Sequence, residues 1–278
     1  MISARKLLTI SRPRFWIYFA GPALVALAAT FGRDVSEWTQ IWPWVFVAYF
    51  TYPANLLVYG VNDIFDYETD LKNSKKGTYE ALVTPDEHLY LWIWMILLNL
   101  PFVFVLLVFS PPASQISLLL FLFLTIFYST PPIRAKARPF LDSIFNILYI
   151  MPGIATYFFF EPRISWTLVV AGGLWSMAMH SYSAIPDIEA DKVSNTPTIA
   201  TVIGFWGTLL YCLILYVLAG ALLATEVEWL GVFFGSLYGL MMIATAARGK
   251  DKSFAMYKLF PMINTLSGAA LFWAAILV

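Results

Sequence analysis

The chain has 278 residues, of which 60% are hydrophobic and only 12% carry a charged side chain. Soluble globular proteins average roughly 45–50% and about 25% for these fractions, and a soluble fold of this size cannot bury so much apolar surface. The single cysteine, Cys212, excludes a disulfide-rich scaffold, and 17 basic against 17 acidic residues give no net charge that would attract nucleic acid. The composition therefore predicts a polytopic membrane protein.

Nine apolar segments match the length of about 20 residues that a membrane-spanning helix needs. Lipid offers no partner for backbone polar groups, and these segments lack the alternating pattern of membrane strands, so helices are predicted. The predicted spans are 14–31, 41–61, 89–110, 114–130, 140–160, 164–185, 200–224, 227–247 and 257–278. We expect one membrane-embedded domain over residues 1–278, with two four-helix units at about 14–130 and 140–247 and a ninth helix.

The basic residues are distributed unevenly between the two sides of these spans. Fifteen of the 17 Lys and Arg residues lie at the N-terminus or around the loops that follow the even-numbered spans. Only Arg33 and Arg163 lie in loops on the other side. Because basic residues concentrate on the cytoplasmic side, we expect a cytoplasmic N-terminus, cytoplasmic active-site loops and a C-terminus on the opposite side of the cell membrane.

Acidic residues cluster at the cytoplasmic end of the second predicted span, in NDIFDYETD. On a helix, Asn62, Asp66 and Asp70 are spaced i, i+4 and i+8, and Asp63 lies three residues before Asp66. Carboxylates on one stripe repel each other strongly unless a cation lies among them. We expect Glu68, on the intervening face, to be a solvated neighbour.

A second acidic motif, PDIEADKVSN, ends the sixth predicted span on the same side. Asp187 and Asp191 are one helical turn apart, whereas Glu189 is expected to be solvated. His180 lies seven residues before Asp187 and roughly on its face. We expect a packed histidine bonded to a neighbouring helix, with a cavity-lining role as the alternative.

A divalent cation and a diphosphate would suit both acidic motifs. Mg²⁺ prefers hard oxygen ligands and usually keeps part of its coordination shell for substrate phosphates. A bound ion would also neutralise the negative charge on a departing diphosphate. The loop after the fourth span adds Arg134, Lys136 and Arg138, which suit phosphate contacts, although topology alone also explains basic residues there. Tyr128, which precedes this loop, could reach a phosphate.

These motifs resemble those of the UbiA-type intramembrane prenyltransferases. NDIFDYETD matches that family's first motif, Asn-Asp-x-x-Asp-x-x-x-Asp, at every fixed position. DIEAD is similar to its second motif, and YSTPPIRAK resembles its conserved loop between helices 4 and 5. The similarity covers nearly the whole chain, including the SRPRFW start.

The resemblance implies a helical bundle around a central cavity and Mg²⁺-dependent transfer of an isoprenoid from its diphosphate to a lipophilic acceptor. Asp66 and Asp187 would be the catalytic residues. The implied metal ligands are Asp63, Asp66, Asp70, Asp187 and Asp191, and the implied diphosphate contacts are Asn62, Arg134, Lys136 and Tyr128. Many members have an acid or a glycine where this chain has Asn195, which tolerates the left-handed conformation of a glycine.

Local sequence further resembles the carotenoid-modifying, lycopene elongase branch of the family, in SRPRFWIYFAGP, LLVYGVNDIFD, RPFLDSIFNILYIMPG and YSAIPDIEAD. This resemblance implies transfer of a C5 dimethylallyl group to lycopene or a related acyclic carotenoid. Such an acceptor has no acidic group, and the predicted spans offer no obvious counter-charge for one. The alternative is an aromatic quinone precursor, whose carboxylate Arg12 and Arg14 could bind, or a tetrapyrrole.

Two other functions fit parts of the pattern. A membrane terpene cyclase would ionise a diphosphate without a separate acceptor. A cation transporter would need acids at mid-membrane depth, whereas both acidic motifs lie at one surface.

Overall fold

The structure is a computed structural model that describes residues 2–71 and 80–277. Lys72, Lys75 and Lys76, three of the predicted cytoplasmic basic residues, lie outside this part of the chain. The α-helices of the described residues, in chain order, are α1 Ala4–Ile10, α2 Ile17–Phe31, α3 Val35–Trp38, α4 Ile41–Thr51, α5 Pro53–Phe65, α6 Tyr67–Asp70, α7 His88–Phe109, α8 Pro112–Ser129, α9 Leu141–Ile144, α10 Met151–Phe160, α11 Trp166–Ala184, α12 Ile188–Val193, α13 Ile199–Glu226, α14 Glu228–Arg248, α15 Ser253–Tyr257 and α16 Phe260–Leu277.

An all-helical membrane fold is confirmed, but the count of nine spans is not. Helices occupy all nine predicted segments. Within residues 2–71 and 80–277, six helical segments are long and apolar enough to cross a membrane, and two bent pairs of helices raise the number to eight. The exception is α11, in which glycines, serines and His180 dilute the apolar residues.

The helices form two compact units. The first unit comprises Met1–Ile133, Met151–Pro162 and Leu271–Val278. In it α10 packs against α2 and α8, and α4 packs against α2 and α5. Gly153 allows close contact between α10 and α2, because a Cβ atom there would lie 2.9 Å from the carbonyl oxygen of Pro22. This packing anchors α5, which carries the first acidic motif.

Helices α4 and α5 form one span that is interrupted at Tyr52, directly before Pro53. Proline has no N–H group, so the preceding turn loses a backbone hydrogen bond. The buried Asn55 side chain donates to the carbonyl oxygens of Phe50 and Thr51, at 2.9 and 2.8 Å, and Asn99 donates to that of Pro53 at 2.9 Å. These amides satisfy carbonyl groups around the interruption, which lipid could not do.

The N-terminal helix α1 packs against the helix that carries the first motif. Its Leu7 and Ile10 are buried in a cluster with Leu56 and Val61 of α5. The segment Ala4–Phe15 is bent by 58° from α2. The N-terminal segment therefore follows α5 instead of continuing the direction of the first span.

The second unit comprises Arg134–Ile150 and Arg163–Ala270. Its core is α13 packed between α11 and α14. Gly231 permits the close approach of α13 and α14, because a Cβ atom there would overlap the backbone nitrogen of Ala224. The second acidic motif follows α11 directly. The assignment of both units to a single domain remains a prediction.

Candidate diphosphate site

The first acidic motif spans the C-terminal end of α5. Although α5 ends at Phe65, helical hydrogen bonds continue through the motif: the N–H of Asp66 donates to the carbonyl of Asn62 at 3.0 Å, and that of Asp70 to Asp66 at 2.8 Å. Asn62, Asp66 and Asp70 therefore keep the one-turn spacing that the sequence predicted. Glu68 is exposed, as expected.

Asp63, in contrast, is held in an ion pair. Its side chain is only 2% exposed, and its Oδ1 accepts a hydrogen bond of 3.0 Å from Nη2 of Arg12. The Arg12 guanidinium also lies 3.3 Å from Glu80 and 4.5 Å from the centre of the Tyr59 ring. Any metal-binding role for Asp63 would compete with this pair.

A hydrogen bond joins Asn62 of α5 to the end of α8, the helix that carries Tyr128. The Nδ2 group of Asn62 donates to Oγ of Ser129 at 3.2 Å, and Tyr128 is the neighbour of that serine. This bond fixes the orientation of the Asn62 amide, with its nitrogen towards α8. The Asn62 carbonyl oxygen is the atom of the amide that suits a cation.

The second motif begins where α11 gives way to a 3₁₀ turn, Ile185–Asp187, and then to α12. Asp187 is exposed and Asp191 half-buried, so both carboxylates are accessible. The backbone carbonyl of Asp191 accepts a bond from Thr196, and Asn195 has φ = 52°. The expected left-handed turn at Asn195 is thus present.

Glu189 differs from its acidic neighbours because it pairs with a lysine. Nζ of Lys250 donates to its Oε1 at 2.6 Å, and this hydrogen bond, together with the charge of Lys192, lowers the pKa of Glu189. The side chain is 65% exposed. Glu189 is therefore a solvated surface residue, as the sequence predicted.

The basic loop places a cation in an unusual environment. Lys136 lies in a 3₁₀ turn, Ala135–Ala137, and is only 9% exposed. Arg134, which precedes the turn, has a left-handed backbone with φ = 44°. Burying an ammonium group is costly unless an anion or polar group compensates it. A buried lysine at this point suits a point-charge contact with a phosphate.

The acidic residues suit a Mg²⁺ ion only if substrate phosphates supply some of its ligands. Within residues 2–71 and 80–277, no group of three or more His, Cys, Asp or Glu side chains is arranged to hold a metal. Mg²⁺ is usually held by one or two carboxylates together with substrate phosphates and water. The available carboxylates therefore suit an ion that arrives with, or is completed by, a diphosphate.

The sequence did not single out Asp142, a fully buried carboxylate in α9. Its Oδ2 accepts a 2.9 Å hydrogen bond from the backbone N–H of Ile199, at the start of α13, and lies 3.8 Å from Nε2 of His180. Its position could have identified it from the sequence, because Asp142 falls inside the apolar predicted span 140–160, where an acid is a candidate functional residue. Glu80, the partner of Arg12, had no such sequence signature.

Comparison with known proteins agrees with these motifs. Residues 19–256 match the UbiA prenyltransferase family. The lycopene elongase/hydratase of Haloferax volcanii is 37% identical over 263 residues, covering 94% of this chain and 85% of the relative. That of Halobacterium salinarum is 36% identical over 273 residues, covering 95% and 94%.

The fold has a close structural neighbour. A UbiA homolog from Archaeoglobus fulgidus, solved bound to DMAPP and Mg²⁺, has a TM-score of 0.74 at 16% identity, covering 98% of this chain and 99% of the other. At that identity the likeness shows the fold alone. Together with the family match, it leads to one assignment. The chain belongs to the UbiA prenyltransferase family and is a multi-pass membrane prenyltransferase.

Proposed function

We propose that this enzyme transfers a dimethylallyl group from its diphosphate to lycopene or a related acyclic carotenoid, in a reaction that requires Mg²⁺. The observation that carries the acceptor is the 36–37% identity with lycopene elongase/hydratases across nearly the full chain. The donor and the metal are supported by the bound DMAPP and Mg²⁺ of the Archaeoglobus fulgidus neighbour.

The N-terminal arginines also favour an uncharged acceptor. An aromatic carboxylate would need a cation, and Arg12 and Arg14 were the candidates in the sequence. Both arginines are engaged by Glu80, at 3.3 and 2.6 Å, and Arg12 is bonded to Asp63 as well. A carboxylate ligand would have to displace these partners, whereas a hydrocarbon acceptor makes no such demand.

Each acidic motif has a proposed role in holding the donor. In the first unit, Asp66 and Asp70 would supply carboxylate oxygens and Asn62 its amide oxygen, while Asp63 holds Arg12. In the second unit, Asp187 and Asp191 would supply the carboxylates. When bound, Mg²⁺ would neutralise the negative charge that develops on the leaving diphosphate.

The basic loop would act on the same diphosphate. Lys136 and Arg134 would contact its phosphate oxygens and stabilise the charge that grows as the allylic C–O bond breaks. Tyr128 would donate a hydrogen bond to a phosphate oxygen. The acceptor's π electrons would then form the new C–C bond with the allylic carbon. The flanking apolar helices would keep water from the cation.

Two alternatives make different products. A membrane terpene cyclase would convert a single diphosphate into a cyclic hydrocarbon, and an aromatic prenyltransferase would modify a quinone precursor. A cation transporter would carry ions without consuming a diphosphate. The test must therefore identify the product and not only follow the loss of the donor.

Product analysis in membranes tests the proposal. Membranes that contain the protein are incubated with dimethylallyl diphosphate, Mg²⁺ and either lycopene or 4-hydroxybenzoate, with EDTA and Asp66→Ala as controls. A Mg²⁺-dependent C45 or C50 carotenoid is expected. A prenylated benzoate would retain prenyl transfer and overturn the acceptor, whereas a cyclic hydrocarbon formed without any acceptor would favour a cyclase.

A further inference from the structure

Asp142 bonds to two parts of the second unit that are proposed to bind the donor. Its backbone N–H donates to the carbonyl of Arg138 at 2.9 Å, directly after the 3₁₀ turn Ala135–Ala137 of the basic loop. Its side-chain Oδ2 accepts the backbone N–H of Ile199 at 2.9 Å, at the first residue of α13. All of these residues belong to the second unit. One residue therefore joins the basic loop to the segment that follows the second acidic motif.

Both bonds lie close in sequence to the proposed diphosphate and metal contacts. Lys136 precedes Asp142 by six residues, and Asp191 precedes Ile199 by eight. Between the last two the chain turns tightly, because the N–H of Thr196 donates to the carbonyl of Asp191 at 2.9 Å. Each residue of such a connection has only two soft dihedral angles. Holding Ile199 in place therefore restricts where Asp191 can lie.

The start of α13 depends on this carboxylate. The first N–H groups of a helix have no partner within the helix. Oγ1 of Thr198 accepts the N–H of Thr201 at 3.2 Å, and Oγ1 of Thr201 accepts the N–H of Thr198 at 2.9 Å. The N–H of Ile199 is satisfied by Asp142 instead. Because Ile199 and Asp142 are both fully buried, loss of the carboxylate would leave this donor unsatisfied.

The short helix α9 is held in place by other contacts as well. Oγ of Ser143, next to Asp142, lies 3.1 Å from the hydroxyl of Tyr211 in α13 and accepts a 3.0 Å hydrogen bond from Ser181 in α11. Nε2 of His180 lies 3.8 Å from Oδ2 of Asp142, which is longer than a hydrogen bond. Replacement of the Asp142 side chain should therefore release the start of α13 without detaching α9.

We propose that Asp142 is a positioning residue that sets the separation between the basic loop and the second acidic motif, so that both can hold one diphosphate. This inference rests on the proposed function. Lys136 would contact phosphate oxygens from one side, and Asp187 and Asp191 would hold the metal on the other. The apparent affinity for a ligand falls by the fraction of protein that is in the binding-competent arrangement. Loss of the bond should therefore raise KM, while saturating donor restores the arrangement and most of kcat.

Two variants of Asp142 separate the hydrogen bond from the shape of the side chain. Leucine keeps a branched side chain but accepts no hydrogen bond, whereas asparagine keeps an oxygen for the N–H of Ile199. A hydrogen bond to a charged group contributes about tenfold or more to the equilibrium that it supports. We expect Asp142→Leu to raise the KM for dimethylallyl diphosphate by about tenfold, and Asp142→Asn to recover most of this loss.

Thr198→Ala is the matched control. It removes a hydrogen bond from the same helix start, that of the Thr201 N–H, but no bond to the basic loop. It should lower the midpoint of thermal unfolding and retain the wild-type KM. An equal rise of KM in Thr198→Ala and Asp142→Leu would show that any loosening of α13 has this effect, and would overturn the inference. A wild-type KM in Asp142→Leu would overturn it as well.

Ile199→Pro breaks the same bond from the donor side, so the test does not depend on how well Asp142→Leu folds. Proline lacks the N–H and is well tolerated at the first position of a helix. The extended backbone of Thr198, with φ = −111° and ψ = 166°, also suits a residue before proline. This variant should raise KM like Asp142→Leu, and a wild-type KM in it would contradict the positioning role.

A distance measurement tests the same inference without turnover. Spin labels on Arg138→Cys and Val193→Cys, two exposed positions, report the separation between the basic loop and the second motif, while the fully buried Cys212 should stay unlabelled. Asp142→Leu should broaden or shift the distance distribution, and Thr198→Ala should leave it unchanged. If the wild type forms no prenylated product, the proposed function fails, whereas unchanged distances in Asp142→Leu of an active enzyme overturn this inference alone.

Discussion

Nη2 of Arg12 donates a 3.0 Å hydrogen bond to Oδ1 of Asp63 across a sequence separation of 51 residues. Asp63 is almost fully buried, and Arg12 has a left-handed backbone with φ = 50° and ψ = 71°. Such a conformation is uncommon for a residue other than glycine, and it persists only where the surroundings determine it. The bonds of the guanidinium to Asp63 and Glu80 provide that constraint and join the N-terminal segment to the first motif.

Removal of Arg12 should therefore destabilise the protein. Arg12→Ala leaves the Asp63 carboxylate buried without its cation, and breaking a buried pair in this way costs about 3–5 kcal/mol. The midpoint of thermal unfolding in detergent should fall clearly below that of the wild type. The double variant Arg12→Gln/Asp63→Asn should recover part of the loss, because neither charge is then left alone.

Arg5→Ala is the control for this experiment. Arg5 is exposed in the same N-terminal segment, and surface substitutions usually change the free energy of unfolding by less than about 0.5 kcal/mol. Equal unfolding midpoints for Arg12→Ala and Arg5→Ala would show that the ion pair does not stabilise the fold.

Asp66 and Glu68 give a matched pair for the first motif. Asp66→Asn should lower Mg²⁺-dependent transfer by about two orders of magnitude or more, because several kcal/mol of charge stabilisation depend on a bound metal. Glu68→Gln removes an exposed carboxylate two residues away and should keep the wild-type rate. The measurement is the initial rate of product formation at saturating donor. Similar rates in both variants would remove Asp66 from the proposed ligands.

Asp187 and Glu189 allow the same comparison in the second unit. Asp187→Asn should abolish turnover while the protein remains folded in the membrane. Glu189→Gln loses only its surface pairs with Lys250 and Lys192 and should remain active. The rate and the Mg²⁺ concentration for half-maximal activity should be measured together. A larger loss in Glu189→Gln than in Asp187→Asn would contradict the assignment of the motif.

Sequence spacing predicted the local geometry of the motifs but not their partners. The one-turn spacing of Asn62, Asp66 and Asp70 follows from helical periodicity, and the structure retains it despite the end of α5 at Phe65. The ion pair of Asp63 with Arg12 depends on how α1 packs against α5. No periodic pattern in either segment encodes that packing.

Burial was the other property that the sequence did not reveal. The sequence identified Lys136 as a candidate phosphate contact, but its 9% exposure depends on the surrounding helices. The acid at position 142 could be seen in a predicted span, whereas its contact with Ile199 joins residues 57 positions apart. Long-range packing therefore determines which of the charged residues are buried.

The membrane orientation provides the last prediction. The distribution of Lys and Arg predicts that loops after even-numbered spans are cytoplasmic. Lys192, in the segment after the sixth predicted span, and Ser36, between the first and second, are both exposed and should lie on opposite sides. Cys212 is fully buried and should not react with a membrane-impermeant maleimide, so the wild type serves as the blank. Ser36→Cys should be labelled in intact cells, and Lys192→Cys only after the membrane is opened. The reverse pattern would place the N-terminus and both acidic motifs outside the cytoplasm.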